Sequence, residues 1–207
     1  MQTREEKKRQ TRQALIQSAL DWVDEGKPLA SLSIREIAKR AGVVPTAFYR
    51  HFQDVEDLAL SLVDELSRVL RRLLREVRSS DETHPPRVRD YLDQYCHYVL
   101  ANRVWFVFLV QAMTGGTLAV RRAIRSELHY FAHELALDMR RLDVLPNLSL
   151  ERLEDVMLLA LQTAAFNTSE LVDLPAGHEA LLNDFKAHLR RQIQLIFVGA
   201  RHWRERD

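Results

Sequence analysis

The side chains best suited to specific chemistry in this sequence are four hydrogen-bonding residues in one short run, Thr46, Tyr49, Arg50 and His51. A threonine can donate to a phosphate oxygen or touch a thymine methyl group, and Tyr and His can hydrogen-bond to phosphate. Arg50 can contact a phosphate or, through two hydrogen bonds, the edge of a guanine. The run therefore offers suitable contacts to DNA, provided that a helix presents these side chains outward.

A basic segment precedes this run near the N-terminus. Residues 1–52 contain 10 Lys and Arg against 6 Asp and Glu, whereas residues 53–207 contain 20 against 23. A basic head on a mildly acidic body indicates that the head meets a polyanion. The first basic side chains can contact backbone phosphates or the minor groove, or they can form a solvated terminus without a ligand. They are Arg4, Lys7, Lys8, Arg9 and Arg12.

Two short helices are predicted to position the hydrogen-bonding run. Ser33 and Glu36 have the spacing of a capping box, in which each side chain bonds to the backbone of the other, and they open the first helix. Gly42 allows a left-handed exit from that helix. Pro45 suits the first position of the second helix, which is predicted to run to about Phe52. The pair has the dimensions of a helix-turn-helix, although an ordinary helical hairpin with a solvated edge would have the same pattern.

The rest of the chain also shows the helical period. Apolar residues make up 46% of the sequence, and no segment shows sustained strand alternation. We therefore predict an all-α fold of about nine helices, with a linker in the polar stretch from Ser79 to Pro86. A long helix is predicted from Asp54 to about Val77. The other predicted helices lie near residues 4–25, 86–101, 103–113, 117–142, 149–172 and 176–204.

The helix-turn-helix segment resembles the N-terminal signature of TetR-type repressors. The resemblance lies in Ser33-Ile-Arg-Glu-Ile-Ala, Ala41-Gly-Val, Pro45-Thr-Ala-Phe-Tyr-Arg-His-Phe and Asp57-Leu. It implies a transcriptional repressor with a DNA-binding domain at residues 1–53 and a ligand-binding and dimerisation domain at residues 54–207. The residues expected to bind DNA are Arg4, Lys8, Arg12, Ser33, Arg35, Val44, Pro45, Thr46, Ala47, Tyr49, Arg50 and His51.

One position departs from this pattern. Many TetR-type proteins place Ser or Thr immediately before the recognition helix, where this chain has Val44. Loss of a side-chain cap costs a helix about 1 kcal/mol. Pro45 at the first helical position is expected to offset part of that cost.

The resemblance also implies a homodimer that forms through the last two long helices and reads a palindromic duplex. Residues 156–161 are apolar on all sides, which a helix on the surface of a single chain does not favour. In the final helix an apolar stripe repeats at three- and four-residue spacing. The stripe comprises Leu182, Phe185, Leu189, Ile193, Ile196 and Ala200. The alternative is that both stripes face the core of the same chain.

Among TetR-type proteins, the chain resembles the FabR and DesT repressors of unsaturated fatty-acid synthesis and desaturation, which respond to long-chain acyl-CoA. This resemblance lies in Phe106-x-x-Leu109, Thr114-Gly-Gly-Thr117, Glu170-Leu-Val-Asp-Leu-Pro175 and Gly199-Ala-Arg-His-Trp203, besides the DNA-binding segment. It implies a fatty acyl-CoA effector and control of lipid genes. One departure is Gln111-Ala112, where those relatives carry an Arg-Glu pair.

A pocket for a long apolar ligand suits the aromatic and flexible residues of the middle helices, although an ordinary core would use them too. The residues expected to bind the ligand are Leu62, Leu66, Tyr98, Phe106, Leu109, Met113, Phe131 and Phe166. Two alternatives stay open. The protein can regulate efflux or catabolism genes in response to an unrelated apolar compound, or it can be a helical enzyme or lipid carrier that uses the same residues.

Enzymatic and metal chemistry find little support in the sequence. His129 and His133 lie one turn apart on a predicted helix, but no third ligand at suitable spacing is evident. The adjacent Cys96 and His97 point about 100° apart on a helix. We therefore expect neither an enzyme nor a cofactor or metal. The single cysteine and the lack of a signal-peptide pattern or a membrane-spanning apolar run predict a cytoplasmic protein.

Overall fold

The computed structural model describes residues 3–79, 88–175 and 177–203. Within those ranges all regular structure is helical, with nine α-helices, a 3₁₀ turn at Leu29–Ser31 and no strand, which confirms the predicted all-α class. The helices are α1 (Arg4–Asp24), α2 (Ile34–Arg40), α3 (Pro45–Phe48), α4 (Val55–Ser79), α5 (Val88–Ala101), α6 (Arg103–Gly115), α7 (Leu118–Arg141), α8 (Leu150–Asp173) and α9 (Glu179–Arg201).

The chain forms two compact units. The N-terminal unit comprises Met1–Arg68 and Arg103–Ile124, and the C-terminal unit comprises Val69–Asn102 and Arg125–Asp207. These units are defined by compactness, whereas the domains predicted at residues 1–53 and 54–207 are defined by DNA binding and ligand binding. The predicted division therefore stays a prediction. Most of the predicted linker, residues 80–86, lies outside the described residues.

Helix α1 begins at a capping box that the sequence analysis did not identify. The Glu6 amide donates to Thr3 Oγ1 at 3.2 Å, and the Thr3 amide donates to Glu6 Oε2 at 2.7 Å. The helix ends near its predicted end because Gly26 adopts a φ of 75°, which costs a glycine little. Its buried residues recur every three or four positions, and α2, α3 and α6 pack against it. They include Leu15, Ile16, Ala19, Leu20 and Val23.

The capping box predicted for α2 forms only by half. The Glu36 amide donates to Ser33 Oγ at 3.3 Å, so Ser33 is the N-cap of the helix. The Glu36 carboxylate does not bond back to Ser33 but accepts a hydrogen bond from Arg40 Nε at 2.9 Å. The prediction of a reciprocal box is wrong because a charged partner one turn away competes better than a neutral amide.

The recognition helix is shorter than predicted. Helix α3 ends at Phe48 rather than at Phe52, and the His51 amide then donates to the Phe48 carbonyl, three residues back, at 2.9 Å. Such three-residue bonds tighten the chain relative to an α-helix. Both phenylalanines are buried, with ring centres 5.5 Å apart, and this packing favours the tighter turn. We call residues 45–52 the recognition segment.

The C-terminal unit is built on α8. Ser149 caps this helix by accepting a hydrogen bond from the Arg152 amide at 3.3 Å. Helix α9 packs along α8, and α5 contacts both helices. Tyr95 on α5 is hydrogen-bonded to Thr168 on α8, with 2.6 Å between their oxygen atoms. A second core group joins α7, α8 and the end of α9 through small and flexible apolar residues, among them Ala136, Met157 and Ala200.

The described helices were also compared with the length and hydropathy of a membrane span. None of them is by itself long and apolar enough to cross a membrane. Helices α6 and α7, which meet at a sharp bend, satisfy the length and composition of a span when taken together.

Candidate DNA-binding interface

The recognition segment is anchored from beneath by its aromatic residues. Phe48 and Phe52 are buried in the N-terminal unit, while Thr46, Tyr49 and Arg50 are exposed. The Tyr49 side chain is 61% exposed, although burial of the apolar surface of its ring would stabilise the fold. The predicted hydrogen-bonding run is therefore presented outward by a rigid support.

The turn before the recognition segment has the predicted left-handed exit. Gly42 has a φ of 68°, and the Val43 amide donates to the Ala38 carbonyl at 2.9 Å, which closes the end of α2. Val44 occupies the N-cap of α3 and makes no side-chain capping bond, as its residue type predicts. Pro45 follows at the first helical position. The loop thus enters α3 through backbone geometry rather than through a capping side chain.

Helix α2 is held against the end of α1 by Arg40. Its guanidinium makes two hydrogen bonds to the Glu25 carboxylate, at 2.6 and 3.0 Å, and lies 5.0 Å from the centre of the Trp22 ring. Hydrogen bonds from Arg40 and then Lys27 lower the pKa of Glu25 to about 2. The sequence alone does not predict the contacts of Arg40 with Glu25 and Trp22. The one contact of Arg40 that has a local signal is the pair with Glu36, which lies one helical turn away.

Three cations act electrostatically on His51 at the end of the recognition segment. Burial of the ring, and then the positive charges of Lys8, Arg12 and Arg50, lower the pKa of His51. This arrangement brings the basic arm of α1 and the recognition segment into one electropositive group. We call Lys8, Arg12, Arg50 and His51 the phosphate-facing group, because a cationic group of this kind attracts backbone phosphate.

Arg12 is the member of this group that also has an acidic partner. Its Nη1 atom lies 2.5 Å from Oε1 of Glu65 on α4, and its guanidinium carbon lies 5.3 Å from the centre of the Phe52 ring. The basic pattern near the N-terminus does not predict this acidic partner, because Glu65 lies 53 residues away in the sequence.

The other predicted DNA contacts lie on the same unit but outside this group. Arg4 is exposed in the first turn of α1, and Ser33 and Arg35 are exposed at the start of α2. Ala47 is half-buried within α3. Their role in DNA binding stays a prediction.

Helix α6 is joined to the loop that precedes the helix-turn-helix. Gln111 Oε1 accepts a hydrogen bond from the Leu29 amide at 3.0 Å, and Leu29 is buried. Arg103, at the start of the same helix, donates to Asp24 Oδ1 at 2.8 Å. The Gln111 side chain thus holds the backbone of the N-terminal unit at Leu29.

The residues predicted to bind a ligand divide between the two units. Leu62, Leu66 and Phe106 are buried in the N-terminal unit, where Leu109 and Met113 are half-buried. In the C-terminal unit, Phe131 is buried and Tyr98 is half-buried, whereas Phe166 is 80% exposed. A single chain therefore does not enclose Phe166, in contrast to the pocket-lining position expected for it.

The histidine and cysteine residues considered for metal binding or nucleophilic catalysis have contacts that suit a structural role. His133 Nδ1 lies 2.7 Å from Glu154 Oε1, so this imidazole pairs with a carboxylate. Cys96 is buried, and burial raises the pKa of its thiol to about 11, which disfavours the nucleophilic thiolate. Among the residues that the structure describes, no group of three or more His, Cys, Asp or Glu side chains could hold a metal ion.

Comparison with known proteins agrees with the helix-turn-helix. Residues 25–62 match the model of the bacterial regulatory proteins of the tetR family. Two solved structures with a similar fold are transcriptional regulators of Bacillus. The fatty acid degradation regulator FadR from Bacillus halodurans has a TM-score of 0.67 and 17% identity, over 93% of this chain and 97% of that one. FadR from Bacillus subtilis, solved in complex with stearoyl-CoA, has a TM-score of 0.64 and 13% identity, over 90% and 98%.

A third similar structure is a gamma-butyrolactone receptor, described as an ArpA-like protein. Its TM-score is 0.57 and its identity is 21%, over 90% of this chain and 98% of that one. The fold and the outward-facing recognition segment define a helix-turn-helix DNA-binding protein. The match over residues 25–62 places the helix-turn-helix segment among those of the bacterial regulatory proteins of the tetR family.

Proposed function

We propose that this protein is a homodimeric transcriptional repressor that reads a palindromic operator and is released from it, or retained on it, by a small apolar effector. The observation that carries the proposal is the recognition segment, with buried Phe48 and Phe52 beneath exposed Thr46, Tyr49 and Arg50. These polar side chains can reach DNA because they face the solvent, whereas buried side chains could not. As a DNA-binding protein, the repressor is expected to act in the cytoplasm.

DNA recognition follows from the two kinds of contact that this segment offers. Arg50 and Tyr49 can reach base edges and phosphates from the major groove, and the phosphate-facing group can neutralise the backbone beside it. Arg4, Ser33 and Arg35 can supply further backbone contacts. In a dimer the two heads would enter successive major grooves about 34 Å apart, so the operator would be palindromic.

The dimer is proposed to form through α8 and α9. Most of the apolar stripe predicted on α9 is buried within the single chain, at Phe185, Leu189, Ile193 and Ala200, so the expectation that this stripe forms the dimer interface is wrong. Helices α8 and α9 pack along each other and expose other large apolar side chains. Exposed fractions are 51% for Leu159 and 80% for Phe166 on α8, and 71% for Leu195 and 56% for Val198 on α9. Large exposed apolar side chains can mark an interface, and a second copy would cover these in a four-helix arrangement. We therefore reassign Phe166 from the ligand site to this surface.

Fatty acyl-CoA is the proposed effector, with unsaturated fatty-acid metabolism genes as the proposed targets. Support comes from the resemblance to FabR and DesT and from the similar fold of the Bacillus FadR that was solved with stearoyl-CoA. Apolar residues such as Phe106, Leu109 and Phe131 suit a long acyl chain. The second candidate, control of other genes by an unrelated apolar compound, is favoured by the comparable fold of the gamma-butyrolactone receptor.

Selection of genomic fragments that the purified protein binds would provide the operator, and a double variant would test the recognition segment. Tyr49→Ala/Arg50→Ala removes two exposed donors and is expected to weaken operator binding at least about tenfold, since a single good contact contributes 1–3 kcal/mol. Arg152→Ala, an exposed arginine of the C-terminal unit, is the control and should bind as the unchanged protein does. Equal operator affinity in the double variant would overturn the assignment.

The effector is tested separately, by mass spectrometry of ligands that copurify with the protein and by titration with oleoyl-CoA and palmitoyl-CoA. The proposal predicts saturable binding of an acyl-CoA and a changed operator affinity in its presence. Tyr49→Ala/Arg50→Ala should retain acyl-CoA binding. A copurified compound of another class, together with no response to either acyl-CoA, would favour the second candidate.

A further inference from the structure

The Arg12 side chain is shared between two different environments. On one side it forms the ion pair with Glu65, whose Oε1 atom is 2.5 Å from Arg12 Nη1, and both side chains are partly buried. On the other side its positive charge acts on His51, together with the charges of Lys8 and Arg50. Arg12 therefore belongs to the phosphate-facing group while it is bound to a carboxylate of α4.

A phosphate that approaches this group must compete with Glu65. An arginine presents a planar fork of donors that fits a carboxylate and a phosphate in the same way, so a guanidinium engaged by one has fewer donors for the other. The guanidinium also lies over the Phe52 ring, which keeps it beside the recognition segment whichever anion it binds. In the described structure, Glu65 thus occupies a donor of the Arg12 guanidinium that a phosphate could otherwise use.

We propose that Glu65 limits the affinity of the protein for DNA by holding the Arg12 guanidinium that would otherwise contact a backbone phosphate. This inference rests on the proposed function only in requiring that the phosphate-facing group meets DNA. It makes Glu65 a positioning residue that acts through Arg12. An ion pair with a merely structural role would give the opposite result on removal, because a loosened head binds DNA less well.

The neighbouring residue on α4 offers a matched control. Asp64 forms an ion pair with Arg68, and both side chains are exposed. The charges of Asp64 and Glu65 both act on Arg68. Asp64→Asn therefore removes the same unit of charge from the same part of the helix but leaves the Arg12–Glu65 pair intact.

The test measures binding of the full-length protein to a labelled 30-base-pair duplex of mixed sequence, because sequence-independent binding reports phosphate contacts. Glu65→Gln should bind about two- to fivefold more tightly than the unchanged protein at low salt, the size expected of one ion pair at the protein surface. For Glu65→Gln, the slope of the logarithm of the DNA association constant against the logarithm of salt concentration should steepen by about 0.9, as expected for one added phosphate contact. Asp64→Asn should raise the DNA affinity less and leave this slope unchanged.

Two further variants separate release of Arg12 from a general charge effect. In an Arg12→Gln background, Glu65→Gln should no longer strengthen binding. Glu65→Asp keeps the charge but shortens the side chain, so it should also bind more tightly, and it serves as the test if Glu65→Gln does not fold by circular dichroism. Unchanged or weaker binding in both Glu65 variants, or a rise that persists without Arg12, would overturn the proposal. Failure of the unchanged protein to bind any duplex would instead overturn the proposed function.

Discussion

His51 is the residue of the recognition segment whose charge responds to pH near neutrality. Burial of its ring, followed by the charges of Lys8, Arg12 and Arg50, lowers its pKa in the folded protein. The unfolded chain therefore binds this proton more readily, with a pKa of about 6.5. The contribution of His51 to stability is present above that pH and is lost as the pH falls through it towards the lower folded value.

A phosphate beside the His51 ring favours the protonated form, so binding of DNA should take up a proton. We predict that DNA affinity rises as the pH is lowered below about 7 and continues to rise towards the lowered pKa of the free protein, because the DNA-bound state holds the proton more tightly. Fluorescence anisotropy at constant salt would measure this, and His51→Gln should flatten the dependence. His129→Gln, an exposed histidine of α7, should keep it. An identical pH dependence in the protein with His51→Gln would show that this ring does not meet phosphate.

Among the helices, α6 has a defined structural task at the loop before α2. Gln111 is the acceptor for the buried Leu29 amide at 3.0 Å, and a buried amide without a partner costs about 1–3 kcal/mol. We predict that Gln111→Ala lowers the free energy of unfolding by about that amount, measured by urea denaturation. Gln94→Ala, at an exposed position of α5, should change it by less than about 0.5 kcal/mol. If both substitutions changed the free energy of unfolding equally, the hydrogen bond from the Leu29 amide to Gln111 would not contribute specifically to stability.

The helices themselves were largely predictable from local pattern. Apolar periodicity and punctuation by Gly26, Gly42 and Pro45 placed most helix ends within three residues, because these features act through neighbouring backbone. The length of α3 was not predictable, since it depends on the burial of Phe48 and Phe52 together. That burial depends on α1 and α2, which pack against α3, and a local pattern does not contain such contacts.

The contacts that position the candidate site join residues that are far apart in the sequence. The Arg40–Glu25 pair joins residues 15 positions apart, the Arg12–Glu65 pair 53, and the Gln111–Leu29 bond 82. None has a periodic signal, because each exists only once the helices have packed. Sequence therefore identified the exposed residues of the recognition segment, but not the acidic and amide groups that hold them.

At the scale of the whole molecule, the account depends on a second copy. We predict that Leu195→Glu, which introduces a charge into the exposed surface of α8 and α9, converts the dimer to a monomer at micromolar concentration. Light scattering coupled to size exclusion would measure the mass. Leu137→Glu places the same charge on α7 at another exposed leucine and should leave the dimer intact. A monomeric unchanged protein, or a dimer that survives Leu195→Glu, would exclude this surface as the interface.

The central claim is that two outward-facing recognition segments read one duplex, and methylation interference on a selected genomic fragment tests it most directly. Methylation of guanine N7 blocks contacts in the major groove. The account predicts two clusters of interfering guanines, related by the operator palindrome and centred about one helical turn, roughly 10 base pairs, apart. Arg50→Ala should weaken or remove both clusters. A single cluster, or interference that is unchanged without the Arg50 guanidinium, would contradict the account.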